Sequence, residues 1–222
     1  MTLNFLDLYN ECASQPWSMY DAEAESMDDL EGALKISINK ALSYLWNLCD
    51  WSFRYVDMTI NLTTGRANYA MPDGLIAKTT IRNKEKHCIK YGKTFLDYID
   101  DYEIRDEKVG APEYFFKKGE NIYIYPTPDK AYKLNLTYML APYGLDNEGA
   151  YIYELKEEDD YVNIPEKYEA MFKNCLISLA MMYAIAEETD ENYSSYERQY
   201  NDALMVLMDY CKDDVVDKRV II

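Results

Sequence analysis

Gly110-Ala-Pro-Glu-Tyr-Phe-Phe-Lys-Lys-Gly-Glu-Asn-Ile-Tyr-Ile-Tyr-Pro-Thr-Pro-Asp-Lys-Ala-Tyr-Lys-Leu-Asn-Leu-Thr-Tyr138 is the stretch that decides how this chain is read. Residues 121–125 and 132–138 alternate side-chain types with period two, the signature of strands whose successive side chains point to opposite faces. Gly119 and Pro126-Thr127-Pro128-Asp129 punctuate the stretch with turn chemistry. The pattern predicts a β-meander in which 121–125 and 132–138 are adjacent antiparallel strands joined at the Pro-x-Pro-Asp turn.

Outward from there, the punctuation at Thr64-Gly65, Pro72-Asp73-Gly74, Tyr91-Gly92 and Gly110 extends the β reading back to Phe53. Strands are expected near 54–62, 67–71, 76–82, 86–91, 113–117, 121–125 and 132–140, with a short helix at Phe95–Ile99 among them. The period changes on either side. Met27, Leu30, Leu34, Ile38, Ala41, Leu42, Leu45 and Cys49 fall on one helical face after a cap-like Ser26 to Asp29, predicting a helix over 27–49. A shorter helix over 3–14 is stopped by Pro16. Pro165 suits the first position of a helix carrying Tyr168, Phe172, Cys175, Leu176, Leu179, Met182, Tyr183 and Ala186 on its apolar face. A second helix carries Tyr193, Tyr196, Tyr200, Ala203, Leu204, Leu207 and Cys211, and the short connection makes the two an antiparallel hairpin. The predicted class is α+β. Residues 1–52 and 164–212 form a helical bundle, 53–140 an antiparallel β domain, 141–163 an extended acidic loop, and 213–222 a docking tail.

Composition excludes several classes. With 40 Asp and Glu against 23 Lys and Arg, the net charge is −17. That opposes adhesion to nucleic acid, whose phosphate backbone favours clustered cations. The first basic residue is Lys35, so no secretory leader is expected. The longest apolar run, Cys175 to Ala186, falls short of the roughly 20 residues a bilayer requires. No membrane partner is predicted. Five scattered cysteines with no Cys-x-x-Cys pair point to free thiols in a reducing compartment.

Catalytic constellations are equally hard to assemble. The one histidine, His87, has Cys88 beside it but not the partners that a zinc site or a nucleophilic triad needs. Gly92-Lys93-Thr94 mimics the end of a phosphate loop, yet the required earlier glycine falls on His87. Adjacent carboxylates at Asp28-Asp29, Asp100-Asp101, Glu157 to Asp160 and Asp213-Asp214 suit a divalent cation in principle, but such neighbours are expected on the solvated surface of so acidic a chain. No cofactor, metal or enzymatic activity is predicted. The 23 tyrosines lie beside Asp and Glu more often than beside Arg, which fits subunit interfaces better than base stacking.

Set in order, Ala41-Leu42-Ser43-Tyr44-Leu45-Trp46, Asp50-Trp51-Ser52-Phe53-Arg54, Tyr69-x-Met71-Pro72-Asp73, the 110–138 stretch and Ile164-Pro165-Glu166-x-Tyr168 resemble the head-tail adaptor proteins of tailed bacteriophages, the connector or tail tubular proteins that ring the portal. The resemblance covers roughly residues 30–210. It implies a non-enzymatic virion protein at the head-tail interface, present in the host cytoplasm during assembly and forming a ring of twelve copies. Its partners would be the portal protein and a downstream tail or nozzle protein, with double-stranded DNA passing through. Another head-closure or tail-completion protein, or a non-viral binding module, is the alternative.

Two sets of residues acquire expected roles from a ring. Residues 1–34 hold eight acids and no Lys or Arg, whereas 75–93 hold six Lys or Arg and one acid, Glu85. Arg82, Lys84, Lys86 and Lys90 on one side and Glu157, Glu158, Asp159 and Asp160 on the other are therefore candidate inter-subunit or channel residues; ordinary solvated surface is the competing reading. The apolar end, Val220, Ile221 and Ile222, docks either on the chain's own bundle or on a partner, and in resembling adaptors the terminal segment engages the portal.

Overall fold

The computed structural model describes residues 3–16, 18, 32–71, 75–82, 88–91, 108–185 and 190–219. The fold is α+β, and the chain divides into a unit of Met1–Arg54 with Pro142–Ile222 and a second of Tyr55–Ala141.

The first unit is helical. Helix α1, Phe5–Ala13, begins at Asn4, whose side-chain oxygen accepts from the Asp7 N–H at 2.7 Å while its amide donates to the Asp7 carboxylate at 2.7 Å. This reciprocal cap satisfies donors that the helix itself cannot. Phe5, Leu8, Tyr9, Cys12 and Ala13 are its buried face. Helix α2, Gly32–Asn47, buries Leu34, Ile38, Ala41, Leu42, Leu45 and Trp46 at helical spacing. Its expected start at Ser26 to Asp29 lies outside the described residues.

Helix α3, Glu166–Ile185, starts just after Pro165 with Glu166 and Glu169 in its first turn, where the helix dipole favours negative charge. From Cys175 to Met182 every residue is buried, the property of a central helix, and α3 packs against α1, α2 and helix α4, Asp190–Arg219. Lys173 ties α3 to α1 through Glu11 at 2.9 Å. The sequence reading ended α4 near Cys211. The structure continues it through 213–219, because no Gly or Pro occurs after Asp190 to stop it.

The second unit is a seven-stranded sheet. Its strands are β1 (Tyr55–Leu62), β2 (Asn68–Ala70), β3 (Leu75–Arg82), β4 (Cys88–Tyr91), β6 (Tyr114–Lys118), β7 (Asn121–Tyr125) and β9 (Tyr132–Leu140), in the spatial order β1-β9-β3-β4-β6-β7-β2. Pairing is antiparallel except between β4 and β6. The β1–β9 register places Ile60 opposite Leu134, so both buried side chains share a face, and exposed Asp57 is joined to half-buried Thr137 by a hydrogen bond from the threonine hydroxyl. Gly119, at φ +56°, makes the two-residue turn between β6 and β7, a backbone position that an L side chain disfavours. Phe116 opposite Tyr123 and Tyr114 opposite Tyr125 form one aromatic cluster.

The strand spans agree with the sequence reading; the expected adjacency of 121–125 and 132–138 does not. β7 pairs with β6 and β2, whereas β9 pairs with β1 and β3. The reason lies in Pro126-Thr127-Pro128. Instead of closing a hairpin it supplies a strand of its own, β8 (Thr127–Pro128), parallel to β5 (Val109–Gly110). The Thr127 N–H donates to Lys108 O at 3.0 Å, and the Pro128 carbonyl accepts from Gly65 at 2.8 Å. The prolines thus route the chain away from β7. The expected helix at Phe95–Ile99 falls outside the described residues.

Residues 142–163 are not a bare loop. They carry β10 (Gly144–Leu145), β11 (Tyr151–Ile152) and β12 (Tyr161–Val162), a small antiparallel sheet with β10 in the middle. Paired backbone and internal side-chain acceptors replace the solvent that so long a loop would otherwise need.

Candidate functional site

Among the described residues, no group of three or more His, Cys, Asp or Glu side chains is arranged to hold a metal ion, and no helix is long and apolar enough to cross a membrane. His87 and the Asp100-Asp101 pair lie outside the described residues. The features that remain are a folded acidic lobe and an aromatic knot, both in the helical unit.

The lobe is built on side-chain acceptors. Asp146 accepts at one oxygen from the N–H groups of Glu148 and Ala150, at 2.9 and 2.8 Å, closing the turn from β10 to β11 with Gly149 at φ +82°. Asn39 of α2 reaches across with both ends of its amide. Leu155 N–H donates to its oxygen at 2.8 Å, and its nitrogen donates to Leu155 O at 3.0 Å. The Tyr143 hydroxyl donates to the same Asn39 oxygen at 3.3 Å, and burial, followed by the charge of Glu154, pushes that phenol up to about 12. Gly144 passes beneath, where an added Cβ would stand 2.8 Å from Ile152 and Leu155 side-chain carbons.

Asp160 closes the other end. It is 4% exposed, and its carboxylate accepts from the backbone of Lys156 at 2.6 Å and Glu157 at 2.9 Å. Its own carbonyl receives the Phe5 N–H at 2.8 Å, and Leu3 O receives the Val162 N–H at 3.0 Å, so the start of α1 is stitched to β12. A groove of about 510 Å³ opens on the lobe, lined among others by Asp146, Tyr151, Tyr153, Glu154 and Glu157. Tyr153 stands 63% exposed at its rim. The groove is open, and carboxylates and phenols edge it.

The aromatic knot gathers three of the stretches that carried the resemblance. Trp51 donates its indole N–H to Leu45 O at 2.7 Å, and Arg54, 2% exposed, donates to Trp46 O at 2.6 Å with its guanidinium 5.2 Å from the Trp46 ring centre. Phe53 stacks on Trp51 at 5.7 Å and meets Tyr168 at 5.1 Å and Phe172 at 6.0 Å. Ser52 and Tyr168 share a hydrogen bond of 3.0 Å, and Tyr210 of α4 packs edge-on to Tyr168 at 5.7 Å. Ala41–Trp46, Asp50–Arg54 and Ile164–Tyr168 therefore converge on one packing centre. In the sheet unit, Tyr69 of another of these stretches folds the 63–68 turn, the phenol donating to Arg66 O at 2.7 Å and accepting from Thr63 N at 2.9 Å. These residues specify architecture.

The sequence model described as SU10 adaptor protein matches residues 5–219, which spans both units. The chain belongs to the SU10 adaptor protein family. It is a family of bacteriophage adaptors, structural components of the virion that interact with other phage structural proteins. No curated protein matches the sequence.

Within this SU10-type adaptor, the residues singled out from sequence fall on different elements of the two units. Glu157, Glu158 and Asp159 are exposed on the lobe, whereas Asp160 is turned inward as a cap. Arg82 ends β3 and Lys90 lies in β4, while Lys84, Lys86 and the terminal Val220, Ile221 and Ile222 lie outside the described residues. Asn39, Arg54 and Asp146 were not singled out as lobe or knot residues by sequence reasoning. For Asn39 the signal was available: an amide on a helix whose neighbours Ile38 and Leu42 are core residues.

Proposed function

We propose that the protein is a non-enzymatic head-tail adaptor, a ring of about twelve copies between portal and tail through which the DNA leaves the capsid. The observation that carries this reading is the family match over residues 5–219. The net charge of −17 is consistent with a conduit along which a polyanion slides without sticking. The terminal Val220, Ile221 and Ile222 contact the portal, and neighbouring copies meet through charge, with Glu157, Glu158 and Asp159 of one facing Arg82, Lys84, Lys86 and Lys90 of the next. Asp160 is left out of that set because its carboxylate is already used internally.

Electron microscopy of particles captured through a tag on this chain tests the reading. Capsids or tails held at one vertex, with a ring of density on the tail axis, are expected. Density at another position, such as a closure plug inside the portal, overturns the adaptor placement. Reversal of Lys84, Lys86 and Lys90 to Glu should abolish ring assembly, and unchanged assembly would remove the charge-pairing part.

A further inference from the structure

The seven-stranded sheet ends in two unlike edges. β2 is three residues long, and its outer rim is occupied from within: the Arg66 side chain donates to Asn68 O at 2.7 Å, and Tyr69 is bound into the 63–68 turn. β1 is eight residues long, with β9 its one sheet neighbour. Among the described residues no backbone hydrogen bond outside that ladder involves Tyr55–Leu62. Asp57, Met58 and Thr59 are exposed in succession, so both faces of the strand reach solvent at its middle. Its sequence, Tyr-Val-Asp-Met-Thr-Ile-Asn-Leu, contains no Pro, Lys or Arg, the residues that ordinarily guard an edge.

We propose that this edge binds β1 of a second copy, forming a two-fold antiparallel pair that joins two sheets. The strand is complementary to itself. With Thr59 opposite Thr59 on the axis, Met58 meets Ile60, Asp57 meets Asn61 and Val56 meets Leu62 in the second copy, so each face continues apolar against apolar and polar against polar. Asp57, the one charged residue, never opposes its own copy in this register. Such a pair is closed and isologous, unlike the head-to-tail contacts of a ring. It is therefore a state of the free chain, and it stands independently of the portal reading. β1 is thereby covered in the free chain before it meets its partners.

Light scattering on the full-length chain tests this. The wild type should have the mass of two chains. Thr59 is exposed, so Thr59→Lys and Thr59→Glu keep the fold, and each alone should have the mass of one chain because like charges meet on the axis. Mixing the two variants should restore the two-chain mass. Thr59→Cys, treated with a mild oxidant, should give a covalent dimer on a non-reducing gel. A wild type with the mass of one chain overturns the proposal. So does a dimer that survives both charged variants, since the contact then lies elsewhere.

Discussion

The helical unit and the sheet unit are held together by different means. In the sheet, backbone ladders carry the structure, and the side chains alternate between buried and exposed faces, as β9 does from Tyr132 to Tyr138. In the helical unit, single buried or half-buried polar side chains bridge separate segments: Arg54 holds the end of α2 at Trp46, Asn39 holds Leu155, and Tyr196 donates to Pro16 O. A ladder shares its load among equivalent bonds, whereas a bridging side chain has no substitute. Point substitutions at polar positions should accordingly be felt far more in the helices than in the sheet.

Arg54→Ala should show this most strongly. It empties a core site and strips the Trp46 carbonyl of a donor, which together lower unfolding stability by about 3 kcal/mol or more, read from denaturant melts. Asn39→Ala comes next, at about 2 kcal/mol, since both peptide groups of Leu155 lose their partner. Asp160→Asn should lower stability by about 1 kcal/mol and hasten proteolysis within 154–160, while Glu158→Gln changes neither. That pair of variants separates a cap from a contact residue in one acidic run.

Alkaline melts sharpen the comparison further. Burial raises the Tyr143 phenol from 10.0 to about 12, so the unfolded state releases its proton first and stability falls as pH rises between those values. Tyr196, also pushed up to about 12 by burial, adds in the same direction. The melting temperature should hold below about pH 9 and then fall by several degrees toward pH 11, the thiols of Cys12 and Cys175, also raised by burial, adding to the loss, and the fall should be smaller in Tyr143→Phe. The smallest effect belongs to the sheet. Thr137→Val removes an exposed cross-strand hydrogen bond to Asp57 and should change stability by under about 1 kcal/mol. A loss there equal to that of Asn39→Ala would break the comparison.

This contrast also explains what the sequence could tell. Strand and helix spans were legible because they are local: period two from Tyr132 to Tyr138, period 3.6 from Leu34 to Trp46, and Gly119 at a turn with positive φ. The order of strands was not. Whether Pro126-Thr127-Pro128 turns back or continues depends on Val109–Gly110 being there to pair with it, and no local pattern encodes that partner. The candidate site was legible as a region of acidity but not residue by residue. Asp160 looks identical to Glu158 in composition and differs through the two N–H groups it faces. Trp51 to Arg54 were noticed as a motif, but their role as a packing centre appears only when α3 closes over them.

The first and last long strands of the sheet unit, β1 and β9, are direct neighbours, with Tyr55 opposite Met139. The chain thus enters and leaves this unit through two doors set roughly 5 Å apart, one strand spacing. That makes residues 55–141 a cassette: it can be lifted out as a stretch of gene and a short linker laid across the gap, leaving the helical ends of the chain to meet directly. Any β unit whose first and last strands are direct neighbours presents its two ends at this same one-strand spacing.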